Sequence, residues 1–168
     1  MSITPELDEP IHVLRRNLEF LSKTLSTASF KRVWHEALEK LQDILWTGVL
    51  LRQSFTTLGA TQFQYDGNTL FALIDRYIPG GSSALNALRD GMRLLALPTE
   101  TEIEGDDAAA VNGAEEGQMT LKRASNLAFR DNDGCRLVLR EMDLEALTTT
   151  NVRYVLQRRV ENNENVGW

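Results

Sequence analysis

The sequence predicts an all-α protein, an antiparallel helical bundle followed by shorter C-terminal helices. Three observations predict it. Apolar residues recur at three- and four-residue steps, as helices with one buried face require. The two-residue alternation of half-buried strands is missing, and Gly, Pro, Ser and Thr gather between the apolar stripes.

Ile11, Leu14, Leu18, Leu21 and Leu25 mark the first helix, with Pro10 near its start, where a missing amide is tolerated. Phe30, Val33, Trp34, Ala37, Leu38, Leu41, Ile44, Leu45 and Gly48 mark the second and most strongly patterned one. Ser29 is its expected N-cap, and Glu36 and Lys40 are expected to pair on its wet face. The third holds Phe63, Gly67, Leu70, Phe71, Ile74 and Ile78 and ends at Pro79-Gly80-Gly81. A fourth starts at Ser82-Ser83, buries Leu85, Leu88, Met92 and Leu95, and stops at Pro98. Between the second and third stripes, "SFTTLGATQ" reads as an inter-helix turn around Thr56-Thr57 and Gly59. An active-site loop there would need a nucleophile with a base, or paired acids, and Asp66 is the only acid nearby.

From Pro98 to Gly117 the composition changes. The stretch carries Glu100, Glu102, Glu104, Asp106, Asp107, Glu115 and Glu116 with no basic residue, the composition of a solvated, disordered linker. It divides the chain into a helical bundle, 1–97, an acidic linker, 98–117, and a set of short C-terminal helices, 118–168. In this last part Thr120 can cap a helix with Leu121, Ala124, Leu127 and Ala128. "RDND" then precedes a stripe of Cys135, Val138, Leu139 and Met142, and Thr148 to Thr150 precede Val152, Val155 and Leu156. Helices this short must pack on one another or on the bundle.

The formal net charge of −6 lies in the linker. Removing its seven acids from the 24 Asp plus Glu leaves 17 against 18 Lys plus Arg, so no broad basic surface for nucleic acid is implied. One cysteine closes no intramolecular disulfide, which suits a reducing compartment. The N-terminus has acids where a signal peptide needs bases, and no apolar run reaches bilayer length.

Catalytic and metal signatures fail at essential positions. His35-Glu36 would need a second His at position 39 to bind zinc, and that position is Glu39. His35 therefore reads as a flank of the buried face and His12 as a surface residue. "PGGSSALNAL" offers glycines before a helix but lacks the lysine of a P-loop and a preceding strand. Cys135, on an apolar stripe, reads as a buried structural thiol despite its neighbour Arg136. No cofactor is expected.

Contact residues are the remaining candidates. Arg153, Arg158 and Arg159 form the densest basic cluster, either a solvated face or a contact for acidic partners, the linker included. Trp168 either folds back into a groove or is offered to a partner. Tyr65 is an aromatic off the third stripe.

The run "FKRVWHEALEKLQDILWTGVLLRQSFTTLGATQFQYD", then "LFALIDRYIP", "LRDGMRLLALP" and the ending "VLQRRVENNENVGW", resembles the C-terminal region of the RINT/TIP subunits, especially fungal ones, of the Dsl or NRZ vesicle-tethering complex at the endoplasmic reticulum. The resemblance covers nearly the whole chain and rests on ordered helix-and-turn phrases, with no catalytic signature. It implies a tethering-rod type of bundle, non-enzymatic, cytoplasmic and peripheral at the endoplasmic reticulum through partners. It also implies a role in Golgi-to-ER retrograde transport and protein partners, namely endoplasmic-reticulum SNAREs and other tethering-complex subunits. Members are several-fold longer, so the chain is expected to be a fragment. The family offers no catalytic residue to transfer. The alternative is a small nucleic-acid module reading with the basic last helix, whose binding would fall steeply with salt. A third reading, an enzyme or small-molecule binder with its pocket between helices, would show itself by a ligand retained through purification.

Overall fold

The structure is a computed structural model, and it describes residues 1–99 and 119–165. Among the described residues eight α-helices carry the fold and there is no strand, only an isolated bridge between Phe55 and Arg159. The acidic stretch lies almost wholly outside the described residues.

Helix α1 runs Pro5–Thr24. Pro5 takes the first turn, so Pro10 falls inside the helix; its missing donor would have met Glu6, which like Pro10 faces water. Ile11 and Leu18 are buried, with Leu14, Leu21 and Leu25 half-buried beside them. Helix α2, Thr27–Leu45, is capped by Ser26, whose side chain accepts from the Ser29 amide, so the cap stands three residues before the expected Ser29. Its buried face is Phe30, Trp34 and Leu38, while Val33 and Ile44 are exposed. The expected stripe was too wide: a helix in contact with neighbours on one side cannot bury nine such positions.

The helix then widens into a π turn, Trp46–Leu50, with Leu51 N donating to Trp46 O at 3.0 Å. The extra residue re-phases the apolar face. Leu50 becomes fully buried, and Gly48, expected on the stripe, is exposed with open space around it.

Helix α3, Thr57–Tyr77, starts earlier than its stripe suggests, because Thr56 caps it by accepting from Gly59 N at 3.2 Å. Thr57 and Gly59 thus belong to a first helical turn. A 3-10 turn, Gly81–Leu85, leads into α4, Asn86–Leu95. Gly80 sits at φ 71°, where a side chain would be strained. Helices α1 and α4 each pack beside both α2 and α3. Thr4 N donates to Asp66 at 3.1 Å, and Gln62 Nε2 to Ser2 O at 2.8 Å, pinning the start of α1 to the middle of α3.

The second group comprises α5, Leu121–Arg130, α6, Asn132–Glu141, α7, Thr149–Leu156, and α8, Val160–Asn165. Thr120, Asp131 and Thr148 cap the first three through their side chains. Helices α5, α6 and α7 pack on one another, and α7 packs on α4. Helix α4 also grips the α6–α7 loop. Asp90 Oδ2 accepts from Ala146 N at 3.0 Å, and Arg93 donates to the carbonyls of Met142 at 2.6 Å and Asp143 at 3.1 Å. Helix α8 forms in "VENNEN", a stretch without an apolar stripe. Buried Asn162 ties it down, donating to Leu156 O at 2.7 Å while its Oδ1 accepts from Ser125 Oγ at 3.0 Å.

Candidate partner-binding surface

The three arginines do not form one face. Arg159 is fully buried. Its Nη1 donates to Leu95 O at 2.6 Å and Leu97 O at 3.0 Å, its Nη2 to Thr57 Oγ1 at 2.7 Å, and its Nε to Glu161 Oε2 at 3.0 Å. Glu161 Oε1 in turn accepts from Thr57 N at 2.8 Å and Thr57 Oγ1 at 2.7 Å. Burial on its own pushes the Glu161 carboxyl up; the hydrogen bonds from Arg159 and Thr57 outweigh it and hold the group at about 2.

This cluster closes one end of the bundle. Phe55 N donates to Arg158 O at 2.7 Å, and Val160 N donates to Phe55 O at 3.0 Å, so the chain after α7 lies along the entry to α3. Arg159 as a contact for a partner is thereby corrected: its guanidinium serves the inside of the protein. A buried charge must meet hydrogen-bonding groups on every side, and those groups come from helix ends far apart in sequence.

Arg158 is half-buried and donates from Nη1 to Leu51 O at 3.1 Å. Arg153, on α7, donates to Ala128 O at 2.8 Å and Asn132 Oδ1 at 2.9 Å. Both therefore satisfy carbonyls or caps of neighbouring segments. Tyr65 is 37% exposed on α3, an element separate from all three. Trp168 lies outside the described residues. The basic helix that a nucleic-acid reader needs is not formed, since Arg158 and Arg159 fall in the turn between α7 and α8 with Arg159 wholly enclosed.

Other candidates resolve into structural roles. Cys135 is fully buried, with Sγ 3.2 Å from Ala128 O, and burial pushes its thiol pKa up. His35 is exposed beside Glu39 at 3.8 Å, where a flank of the buried face was expected, and His12 lies 3.6 Å from Asp8. The "PGGSS" turn already holds an anion of its own. Asp75 Oδ1 accepts from Ser82 N at 2.9 Å and its Oδ2 from Ser82 Oγ at 2.6 Å, filling the place a phosphate would take. Among the described residues no group of three His, Cys, Asp or Glu could hold a metal ion, and no helix is long and apolar enough to cross a membrane.

Among the described residues the surface includes two concave regions and a scatter of exposed apolar side chains. One cavity of about 350 Å³, lined by Leu7, Leu45, Val49, Phe63, Leu70 and Met92, lies under the Thr4–Asp66 contact. The other, about 520 Å³, lies between α2 and the Ile78–Ala84 segment. Phe20, Ile44, Leu58 and Tyr154 are each more than half exposed.

The architecture defines a helical scaffold, a bundle joined to a second helical group through α4 and through the segment that enters α3. The match to a family profile is equally broad: residues 1–159 match the RINT-1/TIP-1 family, and the chain belongs to that family. The family is linked to vesicle tethering and is not known as enzymatic. Neither the curated proteins nor the solved structures compared contain a match to the chain.

Proposed function

We propose that the chain is a non-enzymatic scaffold domain of a vesicle-tethering subunit acting in Golgi-to-ER retrograde transport, where it binds endoplasmic-reticulum SNAREs or other tethering-complex subunits. The family match across residues 1–159 carries this reading. An all-helical surface supports it, because exposed helix faces and grooves are what partner helices recognise. Attachment to the endoplasmic reticulum is indirect, through those partners.

Tyr65, exposed on α3, and Trp168 are the contact residues this proposal retains, with Arg153 and Arg158 contributing only through the parts of their side chains that stay accessible. The test is direct binding of the purified 168-residue chain to purified cytosolic domains of endoplasmic-reticulum SNAREs and to the other tether subunits. Binding that weakens in Tyr65→Ala or Trp168→Ala, at an unchanged melting temperature, supports both function and site. Binding unaffected by either keeps the function and removes the site. A folded chain that binds none of these proteins overturns the reading.

A further inference from the structure

The cleft between α2 and the Ile78–Ala84 segment combines three properties. Its walls are apolar, from Trp34, Leu38, Ile78, Pro79 and Ala84. Lys31 and Arg32 line it as well, both exposed and neither joined to another described residue by a hydrogen bond or ion pair. His35 is the third basic side chain there, and Glu39 stands beside it at 3.8 Å. Finally, Trp34 is only 8% exposed, and its Nε1 donor is buried with no acceptor among the described residues. Buried donors are almost always paired, so an orphan in the wall of a cationic cleft points to an acceptor supplied from outside.

We infer that this cleft docks an acidic-apolar peptide segment of a partner protein. One apolar side chain enters between Trp34, Leu38 and Ile78. Flanking carboxylates meet Lys31 and Arg32, and a small rotation of the indole presents Nε1 to one of them. Phosphate is the poorer fit. The amides that would cradle it are already committed, Gly81 N to Ile78 O at 2.7 Å, Ser82 N to Asp75 at 2.9 Å and Ser83 N to Gly80 O at 3.2 Å. Charge complementarity selects the peptide's sign, and the concave apolar wall selects a side chain over a flat surface. The inference rests on the proposed function only in taking the partner to be a protein.

The test uses the 168-residue chain and a fluorescein-labelled hexapeptide of alternating glutamate and leucine, read by anisotropy against its lysine–leucine counterpart. Preferential binding of the acidic peptide is expected, weakened by salt and reduced about tenfold in the Lys31→Glu, Arg32→Glu variant. Trp34→Phe removes the N–H donor along with part of the ring, so its melting temperature is expected to fall modestly; at a temperature where circular dichroism shows the variant folded, it is expected to weaken binding of the acidic peptide several-fold while leaving the lysine–leucine peptide unaffected. Equal binding of the two peptides, or full binding by the charge-reversed variant, overturns the inference. So does peptide binding that emerges only when Glu100, Glu102, Glu104, Asp106, Asp107, Glu115 and Glu116 are neutralised, because the occupant is then the chain's own acidic stretch. Phosphatidylserine vesicles that bind through Lys31 and Arg32 where the peptide does not would assign the cleft to a membrane and overturn it as well. None of these outcomes touches SNARE binding, so the cleft and the tethering role fail separately.

Discussion

Arg159 Nη1 lies 2.6 Å from the carbonyl oxygen of Leu95, a residue 64 positions earlier in the chain. Together with Leu97, Thr57 and Glu161, this contact ties the end of α4, the start of α3 and the segment before α8 into one hydrogen-bonded knot. Removing the guanidinium leaves the carbonyls of Leu95 and Leu97 without their buried donor and takes the ion-pair partner from the part-exposed Glu161 carboxylate. Arg159→Ala is expected to lower the unfolding free energy by about 3 to 5 kcal/mol, as breaking one side of a buried ion pair does. Urea denaturation measures it. Arg159→Lys recovers little, because an ammonium cannot reproduce the planar fork of donors.

The same knot sets an acid dependence. The folded-state pKa of Glu161, about 2, is below its ordinary value of 4.5. A depressed carboxyl contributes stability that is full above the unfolded-state pKa and is lost as pH falls through the folded one. The difference in unfolding free energy between the parent and Glu161→Gln is therefore expected to be constant above about pH 5 and to shrink between about pH 4.5 and pH 2. Parallel denaturation curves across that range would refute the assignment.

Gly134 stands in the first turn of α6, where a Cβ would overlap the carbonyl of Leu127 on α5. That obstacle is backbone, so it cannot swing aside. Gly134→Ala is expected to cost about 1 to 3 kcal/mol, the usual range for overpacking. At Gly67 the added Cβ meets the flexible side chain of Met92, and Gly67→Ala is expected to be milder. Thermal melts of the two variants side by side give the comparison.

Leu38 and Leu41 both lie on the α2 stripe, yet Leu38 is 2% exposed and Leu41 only half-buried. Leu38→Ala is expected to destabilise by about 2 to 5 kcal/mol. Leu41→Ala removes less buried area and is expected to cost clearly less. Equal losses would show that the stripe is buried more evenly than its geometry indicates.

The helices of the bundle were legible because each buries one face, and burial of one face imposes a 3.6-residue period on the sequence. Thr120 announced its cap for a similar reason: a hydroxyl just ahead of an apolar stripe has few other uses. The π turn at Trp46–Leu50 was not legible, since one extra residue per turn shifts the stripe without altering composition. Helix α8 was hidden for the opposite reason. It is held by Asn162 and Glu161, polar residues whose value depends on Ser125 and Thr57, far away in sequence. Arg159 shows the limit for the candidate site. A dense basic cluster looks like surface, and nothing local reveals that one member is enclosed by carbonyls from Leu95 and Leu97. The orphan donor of Trp34 likewise has no sequence signal, because a tryptophan on a buried stripe reads simply as core.

Leu121 N donates to Pro98 O at 2.9 Å. Pro98 and Leu121 therefore stand side by side although 23 positions separate them in the chain. Closing a longer loop between fixed ends costs only about 0.6 kcal/mol per doubling of its length. A fluorescent reporter with adjacent termini, spliced between Pro98 and Leu121 to follow the protein in cells, is thus expected to leave both helical groups their contacts.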